Sequence, residues 1–315
     1  MQPFRKHVAI AIDGGGLRGV IATQALTMLE DFLQQPLHEL VQLAVGTSTG
    51  AIISAGLCTG ISARKMNDLY LELGETVFPH SLRKALFPLT RYRYPAAPFE
   101  KLLNTYFGSL HMGDLWGPAA QKDLVITSYD LAQNRTLFIK PWKMDYLGWP
   151  LTKAVQASCV VPTYFEPVEG RYIDGGVGSY ANPCYVAAFE AVECLHWDPA
   201  ETTLISIGTG RDPYAYDPQT SERIWPWEWI GKVMGVFSQS AYDQQVHLVE
   251  TYFSGMDFRR FQVNLHEMIE MDDGSQLDRL AAYGQHLGRN ILADRTDPIQ
   301  GVSPKQPAVF QKVSV

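Results

Sequence analysis

The chain has 315 residues, 46% of them hydrophobic and 19% charged, with a formal net charge of −7. That balance belongs to a packed globular protein, and it excludes a chain that binds nucleic acid through overall positive charge, so no DNA or RNA partner is expected. No run approaches the roughly 18 consecutive apolar residues that cross a membrane.

The N-terminal Met1-Gln2-Pro3-Phe4-Arg5-Lys6 passes straight into the strand-like His7–Ile12 without a small-residue cleavage site, so no signal peptide is expected. A loop, Asp13-Gly14-Gly15-Gly16-Leu17-Arg18-Gly19, follows the strand and leads into a helix over 20–34. Residues 41–46 read as a second strand, which runs through Gly46-Thr47-Ser48-Thr49-Gly50 into a helix reaching about 57. Helical spacing recurs at 66–77 and at 98–107, where Pro98 sits near the first turn. Residues 80–98 mix cations, aromatics and prolines and read as a surface loop or, more sharply, as a lid. Strands are expected at 123–129 and 136–139, a short helix at 152–158, and a buried strand at 203–207 ending in Gly208-Thr209-Gly210. A long aromatic-rich helical region at 224–253, a strand at 258–263 and a helix at 276–292 complete the pattern, and a proline-bearing tail follows Asp297. The alternation of strands and helices predicts an α/β fold with a mostly parallel sheet covered on both faces.

Cys58, Cys159, Cys184 and Cys194 show neither C-x-x-C spacing nor a metal pattern with histidine. They read as buried free thiols, which suits a reducing cytoplasm.

Two loops carry the chemistry. Gly46-Thr47-Ser48-Thr49-Gly50 has the G-x-S-x-G form of a nucleophile elbow, in the strand–turn–helix context that motif needs. On that reading Ser48 attacks an ester or amide carbonyl. The loop at 13–19 exposes backbone N–H groups at the start of a helix, an arrangement that attracts anions. It fits G-x-G-x-x-G and therefore either a phosphate cradle or an oxyanion hole. The nucleotide reading lacks support, because Glu30 and Asp31 come too early for a ribose-binding acid and no P-loop lysine occurs.

A serine nucleophile needs a base. None of the eight histidines sits in a strand-end motif of the kind that carries a catalytic histidine. The alternative is Asp174 in Arg171-Tyr172-Ile173-Asp174-Gly175-Gly176-Val177, where a short apolar strand ends before two glycines. Taken alone, that segment is equally an ordinary Asp-Gly turn.

The ordered set Asp13-Gly-Gly-Gly-Leu-Arg18-Gly19, Gly46-Thr-Ser48-Thr-Gly50 and Asp174-Gly175-Gly176 resembles the patatin-like phospholipase family. Phe99-Glu100-Lys101-Leu102-Leu103, Thr127-Ser128-Tyr129-Asp130-Leu131, Ala157-Ser158-Cys159-Val160-Val161-Pro162 and Ser206-Ile207-Gly208-Thr209-Gly210 are similar to its patterns as well. The resemblance covers about residues 7–210. It implies a three-layer α/β/α patatin-like fold with a mostly parallel central sheet. It further implies a single domain over 1–315, in which about 211–315 complete a catalytic core of about 7–210.

The resemblance also implies a catalytic dyad without histidine or metal, in which Ser48 is the nucleophile and Asp174 the general base. Amides of Gly14, Gly15 and Gly16 would hold the oxyanion, with the Thr49 amide as a further donor. Arg18 matches the family's motif arginine, which fixes the loop or meets phosphate, and Gly19, Gly46, Gly50, Gly175 and Gly176 complete the motifs. No cofactor is implied.

The substrate class implied is membrane glycerophospholipid or lysophospholipid, with peripheral association at the inner face of the membrane. Trp225, Trp227 and Trp229 suit a lipid interface or a core-packed helix, and Arg83, Lys84, Arg91 and Arg93 suit anionic headgroups. Some bacterial patatin-like phospholipases resemble this chain in size and serve antiphage defence, where a cyclic oligonucleotide activates membrane degradation. The motif-free stretch after Asp212 leaves room for a cyclic-dinucleotide effector site or a homo-oligomer interface. Housekeeping lipid turnover and a catalytically silent lipid- or nucleotide-binding regulator are the alternatives.

Overall fold

A computed structural model of the protein describes residues 1–79, 89–117, 120–213 and 222–297. The lid expectation at 80–88, Arg83, Lys84 and the tail after Asp297 lie outside the described residues.

Seven strands form one sheet: β1 (His7–Ile12), β2 (Leu43–Thr47), β3 (Asp123–Asp130), β4 (Arg135–Ile139), β5 (Tyr172–Asp174), β6 (Thr202–Ile207) and β7 (Asp257–Phe261). They run in the order β4-β3-β2-β1-β6-β7, with β5 paired to β3. β3, β2, β1, β6 and β7 are mutually parallel, while β4 and β5 lie antiparallel to β3. The main helices are α1 (Gly19–Leu33), α2 (Thr49–Cys58), α3 (Ala63–Thr76), α4 (Ala96–Phe107), α5 (Leu151–Cys159), α6 (Cys184–Phe189), α7 (Pro226–Tyr252) and α8 (Leu277–Leu292). The expected alternation is present, with boundaries moved by a few residues.

Burial on both faces explains why the strands read as continuous apolar runs. Successive strand residues point to opposite faces. Val8, Ile10 and Ile12 of β1 belong to a large core shared with α1 to α5 and α8, whereas Ala9 and Ala11 belong to a second core beneath α6 and the end of α7. The chain is therefore a three-layer α/β/α structure with a mixed, mostly parallel sheet. Segments beyond residue 210 take part in it: β7 extends the sheet beside β6, and α8 packs along α1.

Cys58, Cys159 and Cys184 are buried free thiols as expected, but Cys194 is exposed at the end of a π-helical turn, Glu190–Cys194. Trp225 is exposed and Trp229 half-buried, and the side chain of Trp227 lies outside the described residues.

The G-x-S-x-G turn crosses β1 at close range. A Cβ on Gly50 would run into the Ile12 carbonyl oxygen, and one on Gly46 into the Gly50 carbonyl oxygen. Backbone walls do not yield as side chains do. Gly50→Ala should therefore destabilise the protein by about 1–3 kcal/mol and lower its thermal midpoint by several degrees, measured by circular dichroism melting.

Candidate active site

One edge of β3 places the two central side chains. β2 pairs with the first part of that edge, ending at Thr47 opposite Thr127. The chain then leaves the sheet at Ser48, and β5 arrives from the other direction to take the next position, Asp174 opposite Ser128. Two strand ends thus abut along one edge, and the turn at Ser48 meets the carboxylate of Asp174.

Ser48 itself is held at φ 55° and ψ −123°, a conformation a non-glycine residue adopts only when its surroundings enforce it. The enforcing contacts are specific. The Ser48 N–H donates to Ser158 Oγ at 2.8 Å, the Cys159 thiol donates to the Ser48 carbonyl at 3.1 Å, and the Ala51 N–H donates to the same carbonyl at 2.8 Å. Thr47 Oγ1 lies 2.7 Å from Thr127 Oγ1 and donates to the Tyr180 carbonyl at 2.5 Å. Ser48 heads α2, so the positive end of that helix dipole lies at the turn.

Asp174 is 3% exposed. Its N–H donates to the Val160 carbonyl at 3.1 Å, and its Oδ1 accepts the Gly176 N–H at 2.6 Å. Oδ2 is buried without a fully formed hydrogen bond. Burial pushes the carboxyl up to about 6, against the opposing pull of the Ser48 hydroxyl and the Gly176 amide. The short β5 owes its register to Arg171, just before it, whose guanidinium grips Asp130 with bonds of 2.8 and 2.6 Å.

The glycine loop follows β1 and lies beside the elbow. Gly16 has φ 59° and carries no Cβ into the neighbouring Met271. Most polar groups of the loop are engaged. The Gly14 N–H donates to the Ala181 carbonyl at 2.9 Å, its carbonyl accepts from Thr209 Oγ1 at 2.5 Å, and the Gly16 carbonyl accepts from Thr49 Oγ1 at 2.8 Å. Gly14 is consequently not an oxyanion donor as the sequence suggested, because its N–H is already taken. The N–H groups of Gly15, Gly16 and Thr49 have no acceptor among the described residues.

The Arg18 guanidinium donates to the Ile269 carbonyl and pairs with Asp212 at 2.8 Å, holding the loop. Gly19 packs against Thr49 and Tyr70, and Gly175 against Thr127, which leaves both as close-approach positions. Arg93, read from sequence as a headgroup-facing cation, instead stacks on the Tyr164 ring with its charge 3.6 Å from Asp272. Arg91 is exposed.

Sequence reasoning missed the strongest support of the loop. Asp13, fully buried, is held by Arg260 of β7 through two bonds of 2.8 and 2.5 Å, and Arg260 also donates to Ser206 Oγ at 2.8 Å. Two adjacent arginines between Phe258 and Phe261, with only one acid, Asp257, in the same strand, were the available signal, since buried charges require partners. Ser158, the acceptor for the Ser48 amide, was also missed.

Beside Ser48 opens an apolar pocket of about 440 Å³ including its mouth. Gly16, Ser48, Thr49 and Met271 border it at one end, and Leu73, Phe78, Phe99 and Phe165 line it further in. Such a lining suits a hydrocarbon chain and offers little to a polar ligand.

The family model described as patatin-like phospholipase matches residues 10–188. The chain belongs to that family. Among similar proteins, a Caenorhabditis elegans intracellular phospholipase A2 is 31% identical over 222 residues, covering 65% of this chain and 19% of the relative. The rat calcium-independent phospholipase A2-gamma is 27% identical over 333 residues, covering 97% of this chain and 41% of the relative. A Vibrio cholerae cGAMP-activated phospholipase is 24% identical over 324 residues, covering 88% of this chain and 89% of the relative. The chain thus spans less than half the length of the two animal relatives. Among the described residues, no helix is long and apolar enough to cross a membrane.

The patatin-like site stores a charge where burial disfavours it. The ordinary aspartate value of 3.8 is displaced upward by about 2, which corresponds to at most about 3 kcal/mol against folding with Asp174 ionised. A raised carboxyl favours the folded state at low pH, and that contribution is lost as pH rises through about 6. Asp174→Asn should therefore be more stable than the parent at pH 8 and nearly equal to it at pH 4, as measured by urea unfolding at both values.

Proposed function

We propose that the protein is a lipid acyl hydrolase of the phospholipase A or lysophospholipase type, working through a Ser48–Asp174 dyad. The observation that carries this reading is a strained Ser48 that borders an apolar pocket and meets a buried, partly unsatisfied Asp174. Asp174 accepts the Ser48 hydroxyl proton as the oxygen attacks the ester carbonyl. The Gly15, Gly16 and Thr49 amides stabilise the oxyanion, and each such donor is worth about 10²–10³ in rate. The proton passes to the departing alcohol, leaving the acyl group on Ser48 with its chain in the pocket. Asp174 then activates water, which attacks the acyl ester and releases the fatty acid. No step in this scheme calls on a metal.

The whole of 1–315 is read as one catalytic unit, supported by the entry of β7 and α8 into the shared layers. Membrane phospholipid is the substrate, reached by peripheral association from the cytoplasmic side. Exposed Trp225 and Phe237 on and beside α7 are consistent with such a contact.

A second reading concerns control. The Vibrio cholerae relative named as cGAMP-activated matches nearly end to end, so a cyclic dinucleotide is inferred as activator, in an antiphage role. Lipase activity measured with and without a panel of cyclic dinucleotides should rise with one of them. A high basal rate that none of them alters would favour housekeeping turnover.

The chemistry is tested by mass spectrometry of lipids from vesicles incubated with the protein. Free fatty acid and lysolipid should appear, and both Ser48→Ala and Asp174→Ala should lower their release by at least about 10³. A fluorophosphonate probe should label the parent and not Ser48→Ala. The rate should climb with pH through about 6 and then level, as Asp174 ionises, with a value at pH 5 about tenfold below the plateau.

A further inference from the structure

Four residues, Ile269–Asp272, run between the glycine loop and the aromatic wall of the pocket. On the loop side there are three attachments. The Leu17 N–H donates to the Met271 carbonyl at 2.8 Å, Arg18 Nε donates to the Ile269 carbonyl at 3.0 Å, and Gly16 lies so close that a Cβ there would sit 2.5 Å from the Met271 carbonyl oxygen. On the wall side the attachment is Asp272, which is 2% exposed. It accepts the Tyr94 hydroxyl at 2.7 Å and lies 3.6 Å from the Arg93 guanidinium.

Those two partners belong to the layer behind the pocket. Arg93 sits 4.4 Å above the Tyr164 ring, and Tyr94 packs edge-on to Phe78 at 5.0 Å and against Phe165 at 5.8 Å. The N–H groups of Arg93 and Tyr94 donate to the carbonyls of Thr163 and Tyr164, each at 2.9 Å. Phe78, Tyr164, Phe165 and Met271 all line the pocket. The Asp272 carboxylate therefore joins the surface that a chain would touch to the strap that holds Gly16 and Leu17.

We propose that Asp272 is a positioning residue for acyl hydrolysis: it fastens the aromatic wall of the pocket to the Ile269–Met271 strap, so that a chain filling the pocket presses the glycine loop into its reactive geometry. The proposal rests on the reading of Ser48 as nucleophile and of the pocket as the acyl site. Packed elements transmit small displacements because they leave no voids to absorb them. Contact energy from the far end of the chain is then used in the transition state, and kcat rises with chain length along with affinity. An acetyl group is too short to reach the wall and gains nothing.

The test compares kcat and KM of the full chain on p-nitrophenyl acetate, butyrate and octanoate for the parent, Asp272→Asn and Tyr94→Phe. Asp272→Asn keeps the shape, loses the charge that holds Arg93 and weakens the bond to Tyr94. The ratio of octanoate to acetate kcat should fall about five- to tenfold in Asp272→Asn and about two- to threefold in Tyr94→Phe, while acetate kcat stays within about twofold of the parent. Equal losses on all three esters, a change confined to KM, or an unaltered ratio would each overturn the proposal. If Asp272→Asn does not fold, Tyr94→Phe is judged by the same criteria. Failure of the underlying reading looks different: Ser48→Ala would then still hydrolyse the esters or still react with a fluorophosphonate.

Discussion

Everything at the site depends on one strand edge serving two partners in succession. Residues 123–127 of β3 bond to β2, and residues 128–130 bond to β5 on the same side. Because the partners run in opposite directions, both end where they meet, and one end delivers Ser48 while the other delivers Asp174. This places Ser48 and Asp174 together although 126 positions separate them in the chain, a number that follows from 174 − 48. The short β5 would be a weak element alone. The Arg171–Asp130 pair at its start and the Asp174–Val160 bond at its end hold its register. A slip of one residue would turn Asp174 to the opposite face of the sheet.

The glycine loop shows a complementary arrangement. A loop that presents free N–H groups must be held by every other atom it has. Here Thr209, Thr49, Ala181, Ile207 and Met271 engage backbone groups of the loop, and two arginines, Arg18 and Arg260, anchor its ends. Arg260 is buried against Asp13, so its desolvation is offset by the paired geometry of both bonds together with its bond to Ser206. Donors held this closely need only a small adjustment when negative charge develops, and under the proposed mechanism their effect in a dry site is larger than in water.

Much of this was legible in the sequence for physical reasons. Strands buried on both faces appear as apolar runs, and the sharp turns after β1, β2 and β5 require glycine at fixed offsets. Ser48 and Asp174 stood out because each sits between such a strand and such a turn. What the sequence concealed was long-range. Nothing in Phe258-Arg259-Arg260-Phe261 names Asp13 as a partner, since that relation exists only once β6 has placed β7 two positions from β1. The assignment of Gly14 failed for a similar reason. All three glycines looked alike until Ala181, 167 positions later by 181 − 14, claimed one N–H. Arg93 looked like a surface cation because the aromatic ring it covers and the acid it faces lie far away in the chain.

The placement of Arg260 and Met271 late in the chain bears on how the protein is made. A nascent chain emerging from the ribosome acquires Ser48 early and Asp174 later, yet the anchor of Asp13 and the strap under Gly16 are synthesised only after residue 259. Until then the loop lacks the contacts that hold its donors in place, and the pocket lacks the Met271 side of its wall. Domains fold broadly in the order of their synthesis, so the site is completed only once Arg260 and Met271 have emerged. Ser48 and Asp174 therefore precede, in the order of synthesis, the segment that completes their surroundings.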